Sequence, residues 1–96
     1  MNGTRYRVVW RRVVTERRIV EFMLELAARQ ESTEPLYQAM NRIDELLATS
    51  PNDIGESRAD FERVYFEPPL SITYEVQEDE HLVIVLRARY VRPRRG

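Results

Sequence analysis

Leu70-Ser71-Ile72-Thr73-Tyr74-Glu75-Val76-Gln77, then Glu78-Asp79-Glu80-His81, then Leu82-Val83-Ile84-Val85-Leu86-Arg87-Ala88-Arg89-Tyr90, is the stretch that decides the fold of this chain. Leu70, Ile72, Tyr74 and Val76 fall on one side of the first segment, and Leu82, Ile84, Leu86, Ala88 and Tyr90 on one side of the second. A period of two is that of a β-strand, and the acidic turn between them makes the pair a hairpin. Upstream, Phe61 to Glu67 reads as a strand stopped by Pro68-Pro69, since proline cannot donate to a sheet ladder. Three strands at such short spacing argue for an antiparallel meander.

The period changes on moving towards the N-terminus. Ser50-Pro51-Asn52-Asp53-Ile54-Gly55-Glu56-Ser57 is dense in turn formers and reads as a loop. Before it, Leu36, Ala39, Met40, Ile43 and Leu47 recur at three- and four-residue spacing, which predicts a helix ending near Ala48. Ser32 or Thr33 can cap that helix, and Pro35 is tolerated in its first turn. A preceding helix is expected from about Arg12 to Arg29, with Val13, Val20, Leu24 and Ala27 on its inward stripe and Met23 beside it. Tyr6-Arg7-Val8-Val9-Trp10 opens the chain as a short strand. The expected order is β-α-α-β-β-β. That is a two-layer α+β domain with a helical hairpin on one face of a four-stranded, mainly antiparallel sheet.

A chain of 96 residues holds one such domain, spanning 1–96, with an ordered core of about 4–91 and an arginine-rich tail from 92. There is no cysteine, which excludes disulfides and thiolate chemistry. No apolar run reaches the roughly 18 residues needed to cross a bilayer, and charges from Arg5 onward interrupt any signal-peptide core. A soluble cytoplasmic protein is the expectation.

Every basic residue is arginine, and they crowd the ends: residues 1–18 carry a local balance of +5, residues 87–96 another +5, and residues 19–86 carry −11. The near-neutral total of −1 thus hides a strongly polarised molecule. A genome rich in G and C would also favour arginine over lysine. Alternation gives the helix-free face a composition. Arg5, Arg7 and Val9 come from the first strand, Arg63 and Tyr65 from the second, Ser71, Thr73 and Glu75 from the third, and Val83, Val85, Arg87 and Arg89 from the last. Guanidinium planes stack on bases and fork onto phosphates, so arginine beside an aromatic on an open sheet suits RNA. A plainly solvated charged face is the alternative reading. The tail arginines Arg92, Arg94 and Arg95 read either as a solubilising end or as a phosphate clamp.

Several of these segments together resemble the RelE/ParE superfamily of type II toxin–antitoxin toxins. They are Tyr6 to Trp10, the two amphipathic helices, Ser50-Pro51 with Gly55-Glu56-Ser57-Arg58, Arg63-Val64-Tyr65-Phe66, and the hairpin Leu70 to Val76 with Leu82 to Arg87. The resemblance covers roughly residues 5–90 through diffuse patterns. It implies that the first strand pairs beside the last, which would join the two basic ends. RelE-like members cleave messenger RNA on the ribosome without a metal or other cofactor and are restrained by a cognate antitoxin. They belong to systems associated with plasmid stabilisation. The resemblance implies Arg63, Arg87 and Arg89 as phosphate-stabilising groups, and Tyr65 or Tyr90 for stacking or proton transfer. Arg5, Arg7, Arg58 and Arg92 would be RNA-binding residues. RelE-type nucleases commonly place arginine where this chain has Ser71, and a lysine-rich loop where it has Asp53, Glu56 and Asp60. ParE-like relatives share the fold and poison DNA gyrase instead, and a non-catalytic module binding RNA or an acidic protein is a third reading. His81, the single histidine, sits among acids at a turn and reads as an exposed side chain.

Overall fold

The computed structural model describes residues 5–92. Strand β1 (Arg7–Trp10) leads into a π-helical turn (Val13–Ile19) that continues as α1 (Val20–Ala28). Helix α2 (Glu34–Thr49) follows, then β2 (Glu56–Ser57), β3 (Glu62–Glu67), β4 (Leu70–Gln77) and β5 (Leu82–Tyr90). The sheet order is β1-β5-β4-β3-β2, with β1 parallel to β5 and every other pair antiparallel. The first and last strands are therefore neighbours. The sheet has five strands where the periodicity predicted four, because Glu56 and Ser57 add a two-residue edge to β3.

Both helices cover one face of the sheet, and the core lies between the layers. Leu36, Ala39, Ile43 and Leu47 of α2 are buried, as the three- and four-residue spacing predicts. Ser32 Oγ accepts the Glu34 amide at 3.1 Å at the start of that helix. Two contacts fix β1 to α2: Trp10 Nε1 donates to Asp44 Oδ1 at 2.6 Å, and the Tyr6 amide donates to Ala48 O at 2.8 Å.

The first helix buries a different stripe from the one its sequence suggested. Val14, Ile19, Phe22 and Leu26 enter the core, whereas Val13, Val20 and Leu24 are 46%, 44% and 65% exposed. The cause is the π turn. Its wider repeat brings Val14 and Ile19, five residues apart, onto the same side, and α-helical spacing then carries the stripe to Phe22 and Leu26. Leu24→Ala is accordingly expected to change stability by no more than about 0.5 kcal/mol, read by urea denaturation. A larger loss would mean that Leu24 belongs to the core.

A β-bulge sets the facing of the last strand. Between β4 and β5 the register passes from Tyr74↔Val85 to Thr73↔Arg87, leaving Leu86 as an extra residue. Before it, Val83 and Val85 point into the core, which corrects their assignment to the helix-free face. After it, Ala88 and Tyr90 point inward, and Arg87 and Arg89 outward, as read from the sequence.

Strand β3 is inverted relative to expectation. Arg63 pairs beside buried Tyr74 and Tyr65 beside buried Ile72, so both side chains lie on the helix side and Val64 and Phe66 on the open side. Arg63 can point inward because it finds acceptors there. Its guanidinium donates to Ile54 O at 2.8 Å, Gly55 O at 3.3 Å and Ser57 Oγ at 2.8 Å. Tyr74 joins the same clamp by donating to Pro51 O at 2.8 Å. Burial pushes its phenol above the ordinary tyrosine range, while Arg63 draws it part of the way back. Gly55 completes the arrangement with φ +72, where a Cβ would stand 2.6 Å from Val64 O.

Candidate functional site

Beyond the bulge, β4 and β5 present alternating cations and hydroxyls to the helix-free side. Arg87 lies beside Thr73, and Arg89 beside Ser71. Val64 of β3 forms the floor, Arg58 reaches in from the β2–β3 connection, and Val13, Val14 and Arg18 of the π turn wall the sheet edge. Together they line a groove of about 510 Å³ that gathers Arg18, Arg58, Arg87 and Arg89 around Ser71 and Thr73. That volume falls within the range of small-ligand clefts.

The cations differ in availability. Arg87 Nη2 contacts Glu62 Oε1 at 2.5 Å, Arg58 contacts Glu56 at 3.1 Å, and Arg18 contacts Glu21 at 3.1 Å while its guanidinium lies 5.6 Å from the Phe22 ring centroid. Arg89 has no carboxylate partner among the described residues. These pairs are solvent-facing and so weakly held, and a phosphate can exchange for a carboxylate at small cost. The acids of this face, Glu62 and Glu75, sit opposite each other across β3 and β4, at the far end from Arg89. The face is therefore polarised along its strands.

Several residues read as site members lie elsewhere. The parallel register sets Arg7 beside Leu82, roughly 20 Å along the strand from Arg89. Arg5 pairs with Glu45 of α2 at 3.4 Å. Strands β1 and β5 are thus neighbours, but Arg5 and Arg7 lie at the opposite end of β5 from Arg87 and Arg89, and only Arg18 of the N-terminal basic segment reaches them. Arg92 pairs with Glu31 at 3.3 Å beside a separate, more apolar depression. Arg63 and Tyr65 are on the helix side. Tyr65 donates to Glu67 at 2.8 Å, and burial, then that carboxylate, hold its phenol above the usual range. Of the residues named from sequence, Arg58, Arg87 and Arg89 line the groove. Arg94 and Arg95 lie outside the described residues.

Arg18 was not anticipated in the groove. The five-residue step from Val14 to Ile19 is the signal that could have placed it there, since it marks the π turn that rotates Arg18 towards β5. His81 lies at the other end of the molecule, its ring 5.2 Å from that of Tyr6. Tyr6 donates to Glu78 at 2.8 Å and Asn52 also donates to it, which together hold that carboxyl below its ordinary range. Among the described residues no three acidic or histidine side chains converge as metal ligands would, and no helix is long and apolar enough to cross a membrane.

No protein-family model and no curated protein matches this sequence. Among solved structures, the chain is similar to one in the crystal structure of the toxin–antitoxin complex RelBE2 from Mycobacterium tuberculosis. The TM-score is 0.54 and the identity 12%, covering 93% of this chain and 94% of that one. The architecture of two helices on a mixed sheet, with first and last strands adjacent, is the RelE-like fold.

Proposed function

We propose that this chain is the toxin of a toxin–antitoxin pair and that it acts on messenger RNA held by its sugar-phosphate backbone in the arginine groove. One observation carries the reading: four arginines and two hydroxyls line one groove where the helix-free face of a RelE-like fold meets the π turn. A phosphodiester seated between Arg87 and Arg89 would receive forked N–H bonds, with Ser71 and Thr73 as further donors. In cleavage the ribose 2′-oxygen attacks phosphorus, the P–O5′ bond breaks, and the 5′-oxygen leaves as an alcohol protonated by solvent. Negative charge builds on the phosphorane, and fixed guanidinium groups stabilise that charge more than the ground state. The reaction also needs a proton acceptor, and arginine stays protonated. We assign that role to Glu62, whose carboxylate touches Arg87.

The second reading, a binding module without chemistry, draws on the groove lining itself, which contains no carboxylate, imidazole or phenol. Under both readings a cognate antitoxin would neutralise the basic face.

Induced expression in a bacterium, with RNA 5′ ends mapped during growth arrest, tests the proposal. The expected result is arrest accompanied by cuts at fixed positions within codons. Arrest with intact messages and DNA damage would favour gyrase as the target, and normal growth would overturn the toxin reading.

A further inference from the structure

Phe61 is 90% exposed, the most exposed large hydrophobic residue described, and it has φ +65, directly after Asp60 at φ +62. Aspartate visits the left-handed region readily, but for phenylalanine it costs on the order of 1–2 kcal/mol. A phenyl ring left in water also forgoes the roughly 1.5–3 kcal/mol that burying it would give. The backbone is held in this shape by a closed turn in which the Arg58 amide donates to Glu62 O at 2.7 Å and the Glu62 amide to Ala59 O. Glycine or asparagine would fit the turn without strain. The fold instead spends conformational energy to hold an aromatic ring out into solvent.

The ring borders a depression lined by Asn52, Ser57, Arg58, Asp60 and Glu62, among others. Arg58 lines this depression and the arginine groove alike, so the two adjoin at that residue. The geometry points to Phe61 as a stacking platform for one unpaired base of single-stranded RNA whose neighbouring phosphate lies in the groove. This inference rests on the RNA reading above. A protein partner would be expected to extend apolar surface around the ring, whereas apart from Val76 the side chains lining the depression beside it are polar or charged. That setting suits a flat base with a hydrogen-bonding edge.

The test is binding of a single-stranded RNA of about eight nucleotides, followed by fluorescence anisotropy across a salt series. Phe61→Ala is expected to weaken binding about 5- to 150-fold, the value of one base stack, without changing the salt slope. Phe61→Trp should keep the affinity and show quenched tryptophan emission on binding. Phe61→Asn should lose affinity while melting a few degrees higher, at about 4–8 °C per kcal/mol of strain relieved. Equal RNA affinity for wild type and Phe61→Ala overturns the base site and leaves the groove standing. No RNA binding by wild type overturns both. Loss of binding to an antitoxin, with RNA binding intact, assigns the ring to the protein partner and overturns the inference.

Discussion

Arg63→Ala is expected to destabilise the fold by about 3–5 kcal/mol, read as a fall of at least about 12 °C in Tm. The Arg63 side chain is half-buried and its three nitrogens are all engaged. Nη2 donates to Ile54 O at 2.8 Å and Gly55 O at 3.3 Å, Nη1 to Ser57 Oγ at 2.8 Å, and Nε to Ile54 O and Tyr74 Oη, each at 3.3 Å. Alanine would leave the Gly55 carbonyl without its guanidinium donor and Ile54 O with the Tyr74 hydroxyl alone, at 3.0 Å. An unmet acceptor costs its desolvation in full, and hydrogen bonds from a charged donor are worth about 1.5–3 kcal/mol each. The loop cannot easily relax, because Gly55 sits at φ +72 directly against Val64 O and Tyr74 is fully buried beneath it. Arg63→Lys should recover only part of the loss, since one ammonium cannot span two carbonyls and a hydroxyl with fork geometry. Loss of growth inhibition in Arg63→Ala would therefore report unfolding. A variant that melts like wild type would show that the clamp contributes little.

The same residue shows where sequence reading reaches its end. Alternation placed β1 and β4 correctly because each has polar residues on one side only: Arg7 against Val8 and Trp10, and Ser71, Thr73 and Glu75 against Leu70, Ile72 and Tyr74. It misplaced the first half of β5 because Leu82-Val83-Ile84-Val85-Leu86 is apolar throughout, and a continuous apolar run carries no phase. Only at Arg87 does polarity return, and the bulge at Leu86 has by then shifted the phase by one residue. Extrapolating back from Arg87 and Arg89 inverted Val83 and Val85, while the arginines themselves were placed correctly. In β3, Arg63 reaches inward because the Ile54–Ser57 loop offers it carbonyls and a hydroxyl, while Tyr65 finds Glu67 two residues on in the same strand. The loop acceptors lie outside the strand and are invisible to its alternation pattern.

The site was legible in the same partial way. Its centre, Arg87 and Arg89 beside Ser71 and Thr73, follows from strand phase and hairpin register. Its walls do not. Arg18 enters through the π turn, and Arg5 and Arg7 leave because a parallel pairing fixes β1 at the far end of β5. The adjacency of β1 and β5 came from family resemblance, since no local pattern specifies which distant strands pair.

The double variant Arg87→Ala/Arg89→Ala is expected to abolish growth arrest and to weaken single-stranded RNA binding at least about 100-fold, two charge-assisted hydrogen bonds being worth about 3 kcal/mol or more together. Its salt slope, the fall of log K with log salt, should shrink by up to about 1.4, at roughly 0.7 for each phosphate no longer neutralised. Stability should change by no more than about 1 kcal/mol, because both side chains are exposed and the Arg87–Glu62 pair faces solvent. Full growth arrest and an unchanged salt slope in a folded double variant would place the RNA site elsewhere. Glu62→Gln then separates chemistry from binding. It removes a negative charge from the face and releases Arg87, so RNA affinity should rise. If Glu62 accepts the 2′-hydroxyl proton, cleavage must fall in the same variant, because glutamine has no basic site. Tighter binding with slower cleavage is a combination that a binding module cannot produce. Tighter binding with undiminished cleavage would remove Glu62 from the reaction and send the search for the proton acceptor to a group outside this chain.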